Sequence, residues 1–215
     1  MKKYGFFAYN LIICGLLIFA LSGCISPGNT PDPRFYMLKA MSENEITQKL
    51  DIPAGIITVI GPVKIPQYLD RPQMVTQNEK RMMNMAQFDR WAEPLDSGIA
   101  RLIVEDLNLL LPGMNFEMFP ANFAIPLNYQ VIVGVLQLDG NLKKDLLFVA
   151  QWSIVHADTR KLLYTKRSEM TVPVEPHSYA GLADALSKAV ASLSTEIAQN
   201  LSLLANQPIE KSNGD

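Results

Sequence analysis

The stretch that determines the fold opens with Tyr-Gln-Val-Ile-Val-Gly-Val-Leu-Gln-Leu, residues 129–138, which is apolar at almost every position. Such a strand is typical of burial on both faces, as in the centre of a sheet covered by helices. Residues 146–156 and 162–172 follow, and both alternate apolar with polar side chains, the pattern of half-buried strands. Asp158-Thr159-Arg160 lies between them and predicts a hairpin turn. These three strands predict the middle of a β-sheet.

One helix is predicted before these three strands in the sequence, and a second helix is predicted after them. The first begins near Pro94, which suits a first helical turn, and Pro112-Gly113 ends it. The second covers residues 178–204. Each has apolar residues at three- and four-residue steps, so each should bury one face in the core. The two stripes are Leu95, Ile99, Leu102, Ile103, Leu107 and Leu110, and Leu182, Leu186, Val190, Leu193, Ile197, Leu201 and Leu204.

Shorter elements are predicted before the first helix. Residues 34–39 form a short predicted strand, and residues 41–50 are polar and irregular, with room for one helical turn. Residues 56–65 are rich in β-branched side chains but are interrupted by Gly61-Pro62, which indicates a bulge or an edge strand. The predicted fold class is therefore α/β, a single compact domain over residues 34–206 with a mixed β-sheet packed by two main helices.

Residues 67–91 combine a predicted hairpin with an unusual number of methionines. The two strands of this hairpin are residues 73–77 and 80–86, with a polar turn at Asn78-Glu79. Met-rich surfaces adapt to apolar partners such as acyl chains or another protein, whereas the alternative is that these side chains fill the core. We expect the core, with part of the segment at an interface. The residues concerned are Tyr68, Met74, Met82, Met83, Met85, Phe88 and Trp91.

The first 24 residues resemble an export signal. Lys2 and Lys3 precede an apolar run over residues 5–20, and Leu21-Ser22-Gly23-Cys24 closes it. The run is too short for a stable membrane span of about 20 residues. The four closing residues resemble the bacterial lipobox, in which the Cys is acylated and becomes the new N-terminus. Residues 1–23 are therefore predicted to be a lipoprotein signal peptide, and Cys24 is the predicted lipidation site.

Removal of the signal changes the meaning of the composition. The mature chain would keep 192 of the 215 residues, with 17 basic and 21 acidic side chains and a formal charge of −4. Cys14 would leave and Cys24 would be acylated, so no thiol remains for a disulfide and the core alone must stabilise the domain. The mild acidity argues against nucleic-acid binding, which depends on clustered Lys and Arg.

A short tether is predicted between the lipid and the domain. Residues 24–33 comprise the acylated Cys and a segment with three Pro and one Gly, and its nine residues after the Cys span at most about 30 Å. Ile25 does not resemble the Asp that usually retains a lipoprotein in the inner membrane. We therefore expect a lipid-anchored protein on the periplasmic face of the outer membrane. Residues 207–215 form a predicted polar tail.

Motifs for catalysis are scarce. The sequence has no Gly-x-Ser-x-Gly elbow, Walker loop or Gly-x-Gly-x-x-Gly. His156 and His177 lie near turns, where a lone His is usually a surface or capping residue, and Ser97 lies in the first turn of a helix, where Ser serves the backbone. With Cys14 removed in the signal and Cys24 acylated, only two His remain as such ligands, and the sequence has no His-Glu-x-x-His spacing for zinc. No catalytic residue, cofactor or metal ligand is predicted.

Three motifs carry a resemblance to a known family. They are Ile-Gly-Pro-Val at 60–63, Ile-Pro-Gln-Tyr-Leu-Asp-Arg-Pro-Gln-Met-Val-Thr at 65–76, and Phe-Asp-Arg-Trp-Ala-Glu-Pro-Leu at 88–95. With the lipobox, the early Phe35-Tyr36 strand and Gly-Ile-Ala-Arg at 98–101, these motifs resemble the PqiC-like auxiliary lipoproteins of ABC-type and MCE-domain lipid transport systems.

The resemblance implies a non-catalytic function and protein partners. Such lipoproteins work beside an inner-membrane protein whose MCE domains reach across the periplasm, and they support lipid movement and membrane integrity. An MCE-domain transport protein, its inner-membrane partner and the membrane itself are thus the expected partners, and a homo-oligomer is left open. The candidate docking or structural residues are Tyr68, Asp70, Arg71, Pro72 and Trp91.

Two other function classes compete with this expectation. A periplasmic lipoprotein that binds lipid or a small ligand by itself would need a buried apolar cavity. A hydrolase would need a working His, so replacement of His156 or His177 by Ala would abolish its activity.

Overall fold

A computed structural model describes residues 31–46, 49–121 and 126–206. The residues from Pro33 onward belong to one compact unit. The predicted signal peptide 1–23, the predicted lipidation site Cys24 and the predicted tail 207–215 lie outside the described residues.

In the part of the chain that the structure describes, eight strands and two long helices follow one another in the order four strands, helix, four strands, helix, in agreement with the predicted α/β class. Two short 3-10 turns, Glu43–Glu45 and Gln67–Leu69, precede and follow β2. Within the described residues, no helix has the length and apolar character needed to cross a membrane. The elements are β1 Arg34–Tyr36, β2 Ile56–Lys64, β3 Gln73–Gln77, β4 Met83–Trp91, α1 Leu95–Leu110, β5 Met114–Met118, β6 Tyr129–Gly140, β7 Asp145–His156, β8 Leu162–Pro173 and α2 Tyr179–Ala205.

The strands form two sheets instead of the one that was predicted. The larger sheet has the order β5-β2-β6-β7-β8, and the smaller sheet has the order β1-β4-β3. In the larger sheet β2 pairs in parallel with β5 and β6, whereas β6, β7 and β8 are antiparallel. In the smaller sheet β1 is parallel to β4 and β3 is antiparallel to it. Both sheets are mixed, as the α/β prediction requires.

Strand β2 contains the predicted irregularity but not at a sheet edge. Its register with β6 shifts between Ile60 and Val63, around Gly61-Pro62, so the bulge prediction is confirmed. The edge alternative is wrong because β2 lies between β5 and β6. Since Pro62 has no N–H, the ladder cannot continue here, and the side chain of Gln130 donates to the Gly61 carbonyl instead, at 2.7 Å.

The predicted hairpin is present, and its second strand is longer than expected. Strand β4 continues past the predicted end at residue 86 to Trp91. It continues because the strand gains a partner: residues Asp89 to Trp91 pair with β1. A parallel partner so distant in the sequence leaves no local signal, which is why the sequence pattern missed the extension.

The helices agree closely with prediction. Helix α1 begins at Leu95, with Pro94 as the residue before its first turn, and it ends at Leu110, just before Pro112-Gly113. Helix α2 begins after Ser178, whose hydroxyl accepts a hydrogen bond from the Gly181 N–H at 3.2 Å. This cap satisfies one of the free N–H groups at the helix start.

Both helices lie on the same side of the larger sheet, since they contact each other while α1 contacts β2 and β5 and α2 contacts β7 and β8. The predicted burial of β6 on both faces is therefore wrong. Val131 and Val133 are fully buried, whereas Ile132 is half-buried and Leu136 is 51% exposed. An unbroken apolar run thus includes side chains that the helices leave uncovered.

The core between the sheet and helices is dense and aromatic in part. Phe148 and Trp152 of β7 are completely buried, and the Trp152 indole N–H donates to the Ser168 hydroxyl at 3.0 Å. Helix α2 approaches β6 closely at Gly140, where an added Cβ would lie 2.5 Å from Leu182 Cδ1 and would force that side chain to shift. Packing of this kind stabilises a domain that has no predicted disulfide.

Candidate docking surfaces

Four of the five predicted site residues lie in the connection from β2 to β3. The 3-10 turn Gln67–Leu69 buries Leu69 and half-buries Tyr68. The Tyr68 hydroxyl oxygen lies 3.5 Å from the Leu138 N–H, a long hydrogen bond that joins this connection to β6. Burial raises the pKa of the Tyr68 hydroxyl above its ordinary value. Tyr68 is therefore a half-buried side chain that contacts the sheet.

The fifth predicted residue, Trp91, meets this connection at its other end. The Trp91 N–H donates to the Pro72 carbonyl at 2.8 Å, and the Trp91 side chain lies in the core at 7% exposure. Asp70 and Pro72 are exposed, and Arg71 is half-buried. The structure thus brings the predicted residues together, with Trp91 and Tyr68 supporting a turn that presents Asp70 and Pro72 to solvent.

A buried carboxylate that sequence reasoning did not select lies beside this turn. Asp89 is only 4% exposed, and its two oxygens accept hydrogen bonds from the Tyr36 hydroxyl at 2.7 Å and from Arg34 Nη2 at 2.9 Å. Burial, followed by the Asp89 contact, raises the pKa of Tyr36. Asp89 therefore fastens β1 to β4. The sequence did contain a signal for the burial of Asp89. Asp89 and the buried Trp91 are two residues apart on one strand, and alternate residues of a strand share a face.

Arg101, the last residue of the Gly-Ile-Ala-Arg motif at 98–101, also makes structural contacts. Its guanidinium lies 2.6 Å from Glu93 Oε1 and 2.8 Å from Glu105 Oε1, and it donates to the Leu38 carbonyl at 3.2 Å. One side chain thereby links the residues after β1, the entry to α1 and α1 itself. Asp89, Glu93 and Arg101 thus make structural contacts within the fold.

An open groove lies between residues 39–46, together with Leu50, and helix α2. Its volume is about 560 Å³. The segment that forms one wall is held by side chains from the two helices: Ser187 accepts from the Lys39 N–H at 3.1 Å, and Asp106 accepts from the Met41 N–H at 2.9 Å. The lining mixes charged, polar and apolar groups. It includes Lys39, Glu45, Ile46, Leu110, Asp184 and Lys188.

Asp106 is the most unusual titratable group of the described residues. It lies in α1 with no exposed surface, and its Oδ2 has no hydrogen-bond partner. Burial raises the pKa of Asp106 to about 6, against the opposing hydrogen bond from Met41 and the nearby Ser194 hydroxyl. No apolar stripe predicts such a group, so the sequence pattern gave no signal for it.

The methionines of residues 67–91 divide into two groups. Met74 is completely buried, as the core prediction requires, but Met82, Met83 and Met85 are 56%, 41% and 57% exposed. The core prediction is therefore wrong for these three. They lie on the turn and first residues of β4, before the strand meets β1, where neither helix covers them. Arg71 Nη1 lies 2.8 Å from the Met85 sulfur.

His156 is the last residue of β7, and His177 lies in the loop before α2. His156 Nδ1 accepts the Thr159 N–H at 3.4 Å, and His177 Nδ1 lies 2.8 Å from the Val174 carbonyl oxygen. Among the residues that the structure describes, no three His, Cys, Asp or Glu side chains are grouped as a metal site would need.

Comparison with known proteins assigns the family. The family of ABC-type transport auxiliary lipoprotein components matches residues 36–198, which include the β2–β3 connection, β4 and most of both helices. The chain belongs to this family. Members are auxiliary, lipid-modified components of ABC-type transport, so association with a transport system and with a membrane is a property of the family. Among curated proteins, none matches the sequence significantly.

Two solved structures share the fold of this auxiliary lipoprotein. A crystal structure of an uncharacterized protein is 19% identical, with a TM-score of 0.64 over 80% of this chain and 99% of that one. A protein from Xanthomonas campestris is 11% identical, with a TM-score of 0.63 over 79% of this chain and 95% of that one. At these identities the similarity establishes the fold alone.

Proposed function

We propose that the protein is a non-catalytic accessory component of an MCE/ABC-type trans-envelope lipid transport system, anchored through acylated Cys24 on the periplasmic face of the outer membrane, where it supports membrane integrity. The observation that carries this proposal is the family match over residues 36–198. The long motifs at 65–76 and 88–95 lie within that match and resemble those of PqiC-like lipoproteins.

The architecture supports an anchored docking protein. A tether of nine residues after Cys24 reaches at most about 30 Å, so the domain stays close to its membrane. Within the domain, Asp89 and Arg101 fasten the family motifs to the core, and Asp70 and Pro72 stand exposed on a turn that Tyr68 and Trp91 support. A rigid exposed turn loses little conformational entropy on binding, which favours docking of a partner protein.

The groove beside α2 does not favour the alternative of a lipoprotein that binds lipid by itself. A lipid carrier needs an enclosed apolar chamber, whereas this groove is open and contains the charged side chains of Lys39, Glu45, Asp184 and Lys188. Native mass spectrometry of the purified protein tests this alternative, and a stoichiometric lipid retained by the chain without its acylated Cys24 would revive it.

The proposed function is tested by purification of the tagged, full-length protein from detergent-solubilised envelopes. An MCE-domain protein should be recovered with it. The matched control is Cys24→Ala, which should reduce that recovery because the domain is no longer held at the membrane. Repeated absence of an MCE-domain protein, with a tagged copy that complements a deletion, would contradict the proposal.

A further inference from the structure

Two hairpin turns lie side by side at one end of the domain. The turn between β3 and β4 and the turn between β6 and β7 are joined by an ion pair, Lys144 Nζ to Glu79 Oε1 at 3.3 Å. The contact of Tyr68 with Leu138 joins the connection from β2 to β3 to the end of β6 that leads into the second turn. We call residues 78–85 and 141–145 the hairpin end.

The hairpin end is both apolar and basic. Met82, Met83 and Met85 are exposed there. Its charged side chains are four basic residues against two acidic ones, although the mature chain as a whole is predicted to be acidic. These six are Lys80, Arg81, Lys143, Lys144, Glu79 and Asp145. Exposed apolar side chains among basic groups suit the boundary between the headgroups and acyl chains of an anionic membrane.

The direction of β1 places the hairpin end on the side from which the chain enters the domain. Strand β1 is parallel to β4, with Arg34 opposite Asp89. The N-terminal end of β1 is therefore directed toward the start of β4, and Met83 lies six residues before Asp89, at most about 20 Å along the strand.

The tether is long enough to let this end meet the anchored membrane. Cys24 precedes Arg34 by ten residues, which reach at most about 35 Å. That length exceeds the distance from Arg34 to the level of Met83. The lipid anchor and the hairpin end can thus contact one membrane at the same time.

We propose that the hairpin end binds the surface of the membrane that holds the lipid anchor. Its methionines enter the boundary between headgroups and acyl chains, and its basic side chains pair with anionic phospholipid headgroups. This inference rests on the part of the proposed function that places acyl chains on Cys24. Lipid anchors hold a protein at a membrane without orienting it, so the second contact supplies the orientation.

The orientation has a specific geometry. Leu162, 56% exposed, lies at the start of β8 and pairs with Val155, whereas Leu146 beside the β6–β7 turn pairs with Val172. The two ends of these strands are about 30 Å apart. With the hairpin end on the membrane, Leu162 projects away from it.

Fluorescence quenching by lipid tests the proposal on the full-length, lipidated protein. Met82→Cys and Leu162→Cys form a matched pair, because both positions are exposed to the same 56%. The mature chain should hold no other free thiol, so an environment-sensitive fluorophore labels one site. Each protein is reconstituted into phosphatidylethanolamine/phosphatidylglycerol liposomes that contain nitroxide-labelled lipid. We expect blue-shifted and strongly quenched emission at position 82, with neither effect at position 162.

The charge contribution has its own matched pair. Lys80→Glu, at the hairpin end, should reduce quenching at position 82, whereas Lys161→Glu, exposed at the opposite end, should not. Liposomes of phosphatidylcholine alone should also reduce it. Equal quenching at positions 82 and 162, or none at 82, would overturn the proposal. A blue shift at 82 that grows with protein density at constant lipid would assign this end to a second copy and also overturn it.

Failure here can be distinguished from failure of the proposed function. Lys80→Glu is also carried through the purification from envelopes. Recovery of the MCE-domain protein without quenching at position 82 would reject the membrane contact alone. Absence of acyl chains on the purified protein would remove the basis of both.

Discussion

Asp106 should make the stability of the domain depend on pH in a particular direction. Burial raises its pKa in the folded state to about 6, from an ordinary value of 3.8. The folded state therefore binds the proton more tightly than the unfolded state does. Between pH 3.8 and about 6, ionisation of Asp106 lowers the free energy of unfolding progressively as the pH rises. Above that range Asp106 is fully charged, and the destabilisation is complete.

The magnitude follows from the two pKa values. Their difference corresponds to about 3 kcal/mol, at about 1.4 kcal/mol for each pKa unit. Asn at this position keeps an oxygen for the Met41 N–H, has no charge to bury, and offers an amide N–H to the buried Ser194 hydroxyl. Asp106→Asn should raise the free energy of unfolding at pH 7.5 by up to about 3 kcal/mol and change it little near pH 4.

Urea denaturation followed by tryptophan fluorescence measures this difference. A chain that starts at Ile25 is suitable, because the residues from Pro33 onward form one compact unit with its own core. The control is Asp184→Asn, an exposed carboxylate on α2. A difference between Asp106→Asn and wild type that is the same at every pH, or a loss of stability at pH 7.5, would refute the reasoning.

Three further predictions concern other parts of the chain. Asp89→Ala should lower the free energy of unfolding by about 2 kcal/mol, measured by the same urea method, because the half-buried Tyr36 hydroxyl loses its acceptor. Gly181→Ala should lower the melting temperature and cost about 3 kcal/mol, because its Cβ would lie 1.9 Å from the Pro176 carbonyl oxygen. Cys24→Ala should leave an unlipidated precursor, seen as a mass without acyl chains.

The first two of these predictions have a matched control variant, and the third has a single outcome that would refute it. Asp89→Asn retains an acceptor for Tyr36 and should be milder than the Ala variant, so equal losses would argue against the hydrogen bond. Gly134→Ala should be near wild type, because the nearest atom to its added Cβ is the Gln151 carbonyl oxygen at 3.7 Å. Lipidated product from Cys24→Ala would disprove the acylation site.

Elements with strong local patterns could be predicted from the sequence. Helix α1 was visible from its apolar stripe and from Pro94 and Pro112-Gly113, and the hairpins were visible from alternation on either side of polar turns. These features depend on residues close together in the sequence. The pairing of β1 with β4 and of β2 with β5 joins distant segments, so no local pattern could divide the strands into two sheets.

The candidate surface was predicted less well for a related reason. Methionine occurs both in cores and on adaptable surfaces, and its position in a hairpin does not decide which way it faces. The exposure of Met82 and the burial of Met74 depend on which strands the helices cover. Likewise, the sequence shows the segment from Tyr68 to Pro72 as a motif. Its hydrogen bond to Trp91 joins residues far apart in the sequence, so only the folded structure reveals it.

The most direct test of the proposed accessory function compares single and double deletions in the cell. The gene for this protein and the gene for the MCE-domain protein that it recovers from envelopes are deleted separately and together, and envelope permeability under detergent stress is measured. If the two proteins act in one transport system, the double deletion should be no more permeable than the more severe single deletion. Additive permeability, or an unchanged envelope when this gene alone is deleted, would contradict the account.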